Sequence, residues 1–214
     1  IVIAVHCEND GVINYLSKHY IENGCTEPKY PPLSRPARCE AEAVNRMIHL
    51  AAMAGGAPLY IVHLSSREGL MEVLKARASH QKHLGVETCT QYLTLTDDMY
   101  QDPKEGLKAI MSPPLRKKED NEALWDALRD DVLDTVATDH CPFNYGVEKQ
   151  AGADDFTACP NGGPGVEERF RVMYSEGVAK GRISLPQFVK YLCTNPARMY
   201  GMYPQKGTLL PGSD

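Results

Sequence analysis

The sequence predicts an α/β fold, a (β/α)8 TIM-type barrel of which the chain holds about the second half. Three observations predict it. Short apolar runs alternate with helical stretches in the order strand, helices, strand, helix, strand, helix, strand, helices, and such alternation implies a parallel sheet with right-handed crossovers. Four such units make about half of an eight-stranded barrel, which typically needs about 250 residues. Three of the runs also end in polar chemistry: Ile1 to His6 (IVIAVH), Leu59 to His63 (LYIVH) and Asp134 to Phe143 (DTVATDHCPF). They bring His6, His63 and Asp139 to C-terminal strand ends, where parallel α/β folds carry their reactive groups. A doubly wound sheet is the alternative, but no GxGxxG stands between a strand and a helix. The same absence counts against a dinucleotide-binding domain.

In order along the chain, the run ending at His6 is followed by helical spacing of Val12, Ile13, Tyr15 and Leu16, with Asn9 or Asp10 as N-cap and an end near Asn23-Gly24. Pro28, Pro31 and Pro32 mark an irregular loop. Pro36 suits the first turn of a long helix to about Ala54, with Val44, Met47, Ile48 and Ala51 on one face and Gly55-Gly56 as its stop. After the strand Leu59 to His63, Ser65 or Ser66 caps a helix to about Ser79, and Leu84 to Thr88 is a third strand. Residues 101–117 read as a long connection around Ser112-Pro113-Pro114. A helix over Asn121 to Arg129 precedes the strand before Asp139. Residues 144–164 form a second long loop ending Pro160-Asn161-Gly162-Gly163-Pro164, and two or three helices follow between Val166 and Met202. Loops of that length in a compact domain are usually functional or disordered. Gly207 to Leu210 reads as strand-like. The chain opens without Met inside a strand and stops soon after that last run, so we expect one barrel domain over 1–214, cut at both ends.

Composition narrows the function classes. A formal net charge of -5 leaves no basic footprint for nucleic acid. No apolar run approaches the roughly 20 residues that span a bilayer, and no signal peptide is visible. The seven cysteines are odd in number, widely spaced and without a CxxC pair, which argues against a disulfide framework or a structural zinc ribbon and fits a reducing cytoplasm.

His6 and His63 at matching strand ends are candidate metal ligands, since neutral imidazole and carboxylate suit Zn²⁺ and related divalent ions. A lone histidine is more often solvated or hydrogen-bonded; two of them with an aspartate on a third strand favour a metal site. His19, His49, His80 and His83 read as structural or solvated. Asp139 is a candidate ligand, general base or both, because a buried carboxylate is costly unless paired or metal-bound; the alternative is an N-cap or an ion pair. His140 is either an orienting neighbour or the first loop residue. The Pro160 to Pro164 segment and Ser112 read either as tight turns or as rigid loops whose backbone groups meet a ligand. Cys7 and Cys141 lack the partners of a cysteine nucleophile.

Seven motifs, in order, carry a family resemblance: His6-Cys7-Glu8-Asn9, Tyr60-Ile61-Val62-His63, Glu87-Thr88-Cys89, Ser112-Pro113-Pro114-Leu115-Arg116, Ala137-Thr138-Asp139-His140-Cys141, Pro160-Asn161-Gly162-Gly163-Pro164 and Lys206-Gly207-Thr208. Together they resemble the hydantoinase/dihydropyrimidinase family of cyclic amidohydrolases over essentially the whole chain. The resemblance implies a barrel of the metal-dependent amidohydrolase kind, with two divalent metals, zinc by expectation, bridged by hydroxide. It assigns His6 and His63 to one metal, and Asp139 to the other and to the proton shuttle. It gives Ser112 and Asn161 main-chain contacts with the amide groups of a cyclic amide, a dihydropyrimidine or 5-substituted hydantoin, which opens to an N-carbamoyl amino acid. It further implies a homo-oligomer, tetramer or dimer. The family's HxH pair, carboxylated bridging lysine and carbonyl-polarising tyrosine belong to earlier strands and are not in this sequence, so the chain alone is expected to be inactive. The outer β-sandwich is missing too, apart from a re-entry near Leu209. Allantoinase, dihydroorotase and a non-catalytic dihydropyrimidinase-like scaffolding protein are the alternative functions. Retention of His6, His63 and Asp139 favours the enzyme, and the Pro-Asn-Gly-Gly-Pro loop favours the hydantoinase group.

Overall fold

The computed structural model describes residues 2–214, so Ile1 of the predicted opening strand lies outside the described residues. Four strands, β1 (Ile3–Val5), β2 (Leu59–Ile61), β3 (Leu84–Cys89) and β4 (Thr135–Ala137), form one parallel sheet in chain order. The register pairs Val5 with Ile61, Ile61 with Val86, and Cys89 with Ala137. Purely sequential order is what a barrel wall requires, whereas a doubly wound sheet reverses at a switch point. The expectation of four adjacent parallel strands is met.

The helices follow from local sequence. In α1 (Asp10–Glu22), the Asn9 side chain accepts from Val12 N at 3.1 Å, satisfying one of the open N–H groups of the first turn. A short α2 (Pro31–Ser34) leads to α3 (Ala37–Met53), which buries Ala43, Val44, Ile48 and Ala51 along one stripe. Ser66 caps α4 (Arg67–Ala78) by accepting from Gly69 N at 3.0 Å. α3 packs on α4 and β2, and α4 packs on α7 (Lys118–Arg129). Val44, Ile61, Val73, Val86, Leu124 and Leu128 are wholly buried between these layers, each gaining about 1.5–3 kcal/mol from removal of its side chain from water.

Two readings need correction. Residues 101–117 are not a long loop throughout: they hold α6 (Pro103–Ala109), where the Asp102 side chain accepts from Lys104 N and Glu105 N, and α5 (Thr90–Thr94) and a 3-10 turn at Asp97–Gln101 come before it. Its seven residues are too few to display a helical period. Nor is Gly207 to Leu210 a strand. Gly207 adopts φ 80°, where a Cβ would sit 2.7 Å from Ala197 Cβ, and Leu209 is fully exposed with no partner strand beside it.

After β4 the chain makes 3-10 turns at Lys149–Gly152 and Phe156–Ala158, then α8 (Arg169–Val172), α9 (Leu185–Val189) and α10 (Asn195–Met199), with π-helical stretches Met173–Val178 and Lys190–Thr194 between them. These helices finish the β4 edge: Asn195 Nδ2 donates to Asp134 O at 2.7 Å and Arg169 to Val136 O at 3.4 Å. Those carbonyls would otherwise be a pairing template.

Candidate metal and active site

His6 lies one residue beyond β1 and His63 two beyond β2, and in-register pairing sets them side by side. His6 Nδ1 and His63 Nε2 face each other at 3.0 Å, with the rings 66° apart. His63 has φ 42° and Asp139 φ 49°. Left-handed backbone at non-glycine residues costs of order 1–3 kcal/mol and gathers at functional sites; here it turns the chain sharply just past the C-terminal ends of β2 and β4.

The far side of His6 is held by Glu8. His6 Nε2 lies 3.0 Å from Glu8 Oε2, Arg35 donates to the same oxygen at 2.5 Å, and Arg116 Nη2 stands 4.0 Å from Oε1. Burial works to raise the Glu8 carboxyl, but the His6 hydrogen bond and the charges of Arg35 and Arg116 outweigh it and hold the group below its ordinary value. An ionised carboxylate can only accept, so His6 Nε2 carries the hydrogen and its Nδ1 lone pair points at His63.

His63 is buried, and burial first, then the neighbouring His6, lowers its pKa from 6.5 to about 4. It is therefore neutral near pH 7 and able to bind a metal. Its Nδ1 is buried without a hydrogen-bond partner among the described residues, as is Glu8 Oε1.

These observations test the fit of the metal that the family implies. Two ligands of one tetrahedral zinc ion, each about 2.0–2.1 Å from it, stand about 3.4 Å apart. The 3.0 Å between the facing nitrogens is close to that separation, and both donors are of the right kind. Among the described residues no group of three or more His, Cys, Asp or Glu is gathered for a metal, so the histidine pair is a half-site.

Asp139 departs from expectation in one respect: it is exposed rather than buried. It stands two residues past β4, beyond the apolar part of the strand. Following β4 in a parallel sheet, it lies at the same end of the sheet as His6 and His63. His140 does not orient it. His140 Nδ1 accepts from Gly165 N at 3.1 Å and Val166 N at 3.3 Å, so this ring pins the glycine loop.

Ser112 and Asn161 sit on two loops that touch. Gly162 N donates to Ile110 O at 3.1 Å, and Gly163 O accepts from Cys141 N at 3.0 Å beside Asp139. The Ser112 hydroxyl is buried with no partner. Asn161 is exposed and lines a cavity of about 190 Å³ with Ile110, Arg35 and Phe156. A wider cavity of about 540 Å³ opens at the opposite, N-terminal ends of the strands around Arg77, Asp134 and Lys190. Those charges are already paired, Arg77 with Asp134 at 2.7 Å and Lys190 with Asp131 at 2.8 Å.

Sequence reasoning missed Glu8, Arg35, Arg116 and Glu87 as site residues. Glu8 and Arg116 stand inside quoted motifs, and a carboxylate two residues past a candidate ligand was the available signal. Glu87 is half-buried, and loss of solvent raises its carboxyl; it accepts from the Tyr60 hydroxyl and from His63 N at 3.4 Å, bracing the His63 turn.

The sequential parallel sheet and the histidine pair at its C-terminal ends define a class, and comparison with known proteins agrees: residues 3–214 match the Amidohydrolase family, to which the chain belongs. Proteins of this family are generally metal-dependent. The chain is 51% identical over 210 residues to D-phenylhydantoinase of Escherichia coli O1:K1 / APEC, covering 98% of this chain and 45% of that protein. Among solved structures, dihydropyrimidinase from Brevibacillus agri NCHU1002 aligns with a TM-score of 0.97 and 45% identity over 100% of this chain and 46% of that one. L-hydantoinase from Arthrobacter aurescens aligns at 0.91 with 34% identity, again over 100% and 46%. The fold is thus the TIM-barrel type of the hydantoinases, and the chain spans about half the length of the relatives it matches.

Proposed function

We propose that the protein hydrolyses a cyclic amide, a 5-substituted hydantoin or a dihydropyrimidine, to an N-carbamoyl amino acid. The observation that carries this reading is the His6–His63 pair, its nitrogens 3.0 Å apart at two strand ends, in a chain 51% identical to a D-phenylhydantoinase. A non-catalytic scaffold would have no use for a buried, neutral His63 on a strained turn. The Pro160 to Pro164 loop favours hydantoin-type rings over allantoin or dihydroorotate.

In this reading His6 Nδ1 and His63 Nε2 hold one divalent ion, zinc by proposal, and Glu8 fixes the His6 ring. Asp139 would serve a second divalent ion of the kind the family resemblance implies. Such a metal pair supplies an acidified water and a polarised carbonyl. The chain's own residues do the rest. Backbone groups around Ser112 and Asn161 hold the two ring amides. Asp139 takes a proton from the attacking water as the carbon–oxygen bond forms. It returns that proton to the ring nitrogen as the carbon–nitrogen bond breaks, because an amide anion is a very poor leaving group. Asp139's exposure suits this role, since a shuttle must face solvent and substrate. A reducing cytoplasm is supported by seven unpaired cysteines, and assembly as a homo-oligomer by the family resemblance together with exposed Phe170 and Tyr174.

The test is turnover by the full-length, metal-replete protein of 5-phenylhydantoin, dihydrouracil, allantoin and dihydroorotate. Ring opening of either of the first two, lost on chelation and restored by Zn²⁺, supports the proposal. Opening of only the last two, or of none, contradicts it.

A further inference from the structure

Lys149 is 3% exposed and has no carboxylate partner among the described residues. A buried amine without a counter-ion is costly, and burial indeed lowers its pKa. Its Nζ donates to Ile110 O at 2.7 Å and to Pro160 O at 2.8 Å, over the Phe143 ring at 5.6 Å. The two carbonyls belong to different loops. Ile110 lies two residues before Ser112, and Pro160 immediately precedes Asn161. Ile110 O also accepts from Gly162 N at 3.1 Å, so one carbonyl receives both the lysine and the glycine loop.

The surroundings keep Lys149 in place. The Cys159 thiol donates to Lys149 O at 3.7 Å, and a Cβ at Gly152 would come within 2.3 Å of Cys159 Cβ, so only glycine lets that turn close. The glycine loop is tied in turn to the Asp139 segment through Cys141 N to Gly163 O and through His140 Nδ1. Among the described residues the Ser112 loop has no direct hydrogen bond to that segment; it reaches it through Ile110 O, Gly162 and Lys149.

We infer that Lys149 is a positioning residue for ring recognition: its amine clamps the Ser112 and Asn161 loops at a fixed separation, so that their backbone groups match the two amides of one planar cyclic substrate. The inference rests on the cyclic-amide reading for the substrate, but the clamp itself does not. Loss of the amine leaves Ile110 O with Gly162 N alone and Pro160 O with only the weak Cys159 thiol at 3.7 Å, so a single backbone bond is left to hold the two loops together. Binding of the ring then suffers more than the chemistry at Asp139, which lies on another segment.

The experiment compares full-length wild type with Lys149→Met and Lys149→Gln, the latter keeping one amide donor on a shorter stem. Hydrogen exchange at Gly162 and Cys141, steady-state kinetics with 5-phenylhydantoin and dihydrouracil, and zinc content are measured together. For Lys149→Met we expect exchange at Gly162 to quicken at least tenfold, with β2 and β3 unchanged. KM should rise at least tenfold while kcat stays within threefold and zinc content holds, with Lys149→Gln intermediate. A purely structural lysine would instead lower folded protein and zinc content while leaving KM alone. Unchanged exchange at Gly162 overturns the clamp, and faster exchange with unchanged KM overturns its role in recognition. If Lys149→Met does not fold, the same criteria are applied to Lys149→Gln. If wild type opens no cyclic amide, the functional reading fails by itself, and the exchange result alone decides the clamp.

Discussion

Glu8 Oε2 accepts the hydrogen of His6 Nε2 at 3.0 Å, and this one bond decides which nitrogen of His6 is free. With Nε2 protonated, Nδ1 presents its lone pair to the space shared with His63. Carboxylate partners of metal-bound histidines fix tautomer and ring orientation in this way.

Replacing Glu8 by Gln should weaken metal binding by about 10–100-fold. The amide keeps the shape, but it cannot neutralise Arg35 and Arg116, and it can turn its NH2 toward His6. Zinc affinity by competition with a chelator, in the full-length protein, is the readout. Unchanged affinity would remove Glu8 from the account.

The metal-free chain should lose stability as pH falls from about 6.5 to about 4. His63 titrates at 6.5 when unperturbed and near 4 when folded, so in that window the unfolded chain binds the proton and the folded chain does not. Stability from this residue is complete above pH 6.5 and falls by up to about 1.4 kcal/mol per unit below it. Urea midpoints across pH 4–7, compared with His63→Gln, measure this; parallel curves for the two proteins would refute it.

Gly162→Ala should cost about 1–3 kcal/mol of stability or displace its loop. Gly162 has φ 146°, and a Cβ there would lie 2.5 Å from Cys141 O, a backbone atom that cannot rotate away. Ring-opening activity should fall with it, because the loop is bonded to the segment bearing Asp139. Denaturant unfolding together with kinetics gives the answer, and a neutral substitution would show that the loop adapts freely.

The parts of this molecule that were legible in its sequence are those with a period or a punctuation mark. The four strands showed as apolar runs, and α3 and α4 as stripes bounded by Pro36, Ser66 and Gly55. His6 and His63 could be read because a polar residue closing an apolar strand is costly without a use. α6 was hidden, since seven residues between loops carry too little pattern. The Glu8–Arg35–Arg116 network was hidden for a different reason: its members are 27 and 81 residues apart along the chain, and only the fold brings them together. Asp139 was expected to be buried because an apolar strand precedes it, but that burial ends at Val136, three residues short of the carboxylate.

The ring-opening rate of the metal-replete, full-length Asp139→Asn variant tests the central claim most directly. Asn keeps the shape and an oxygen for the metal but cannot carry the proton between the attacking water and the departing ring nitrogen. General acid–base groups contribute about 10²–10⁴-fold, so kcat for 5-phenylhydantoin should fall at least a hundredfold at unchanged zinc content and unchanged melting temperature. If the zinc-loaded variant keeps more than about a tenth of wild-type turnover, Asp139 does not carry the proton, and the mechanism proposed for this site is wrong.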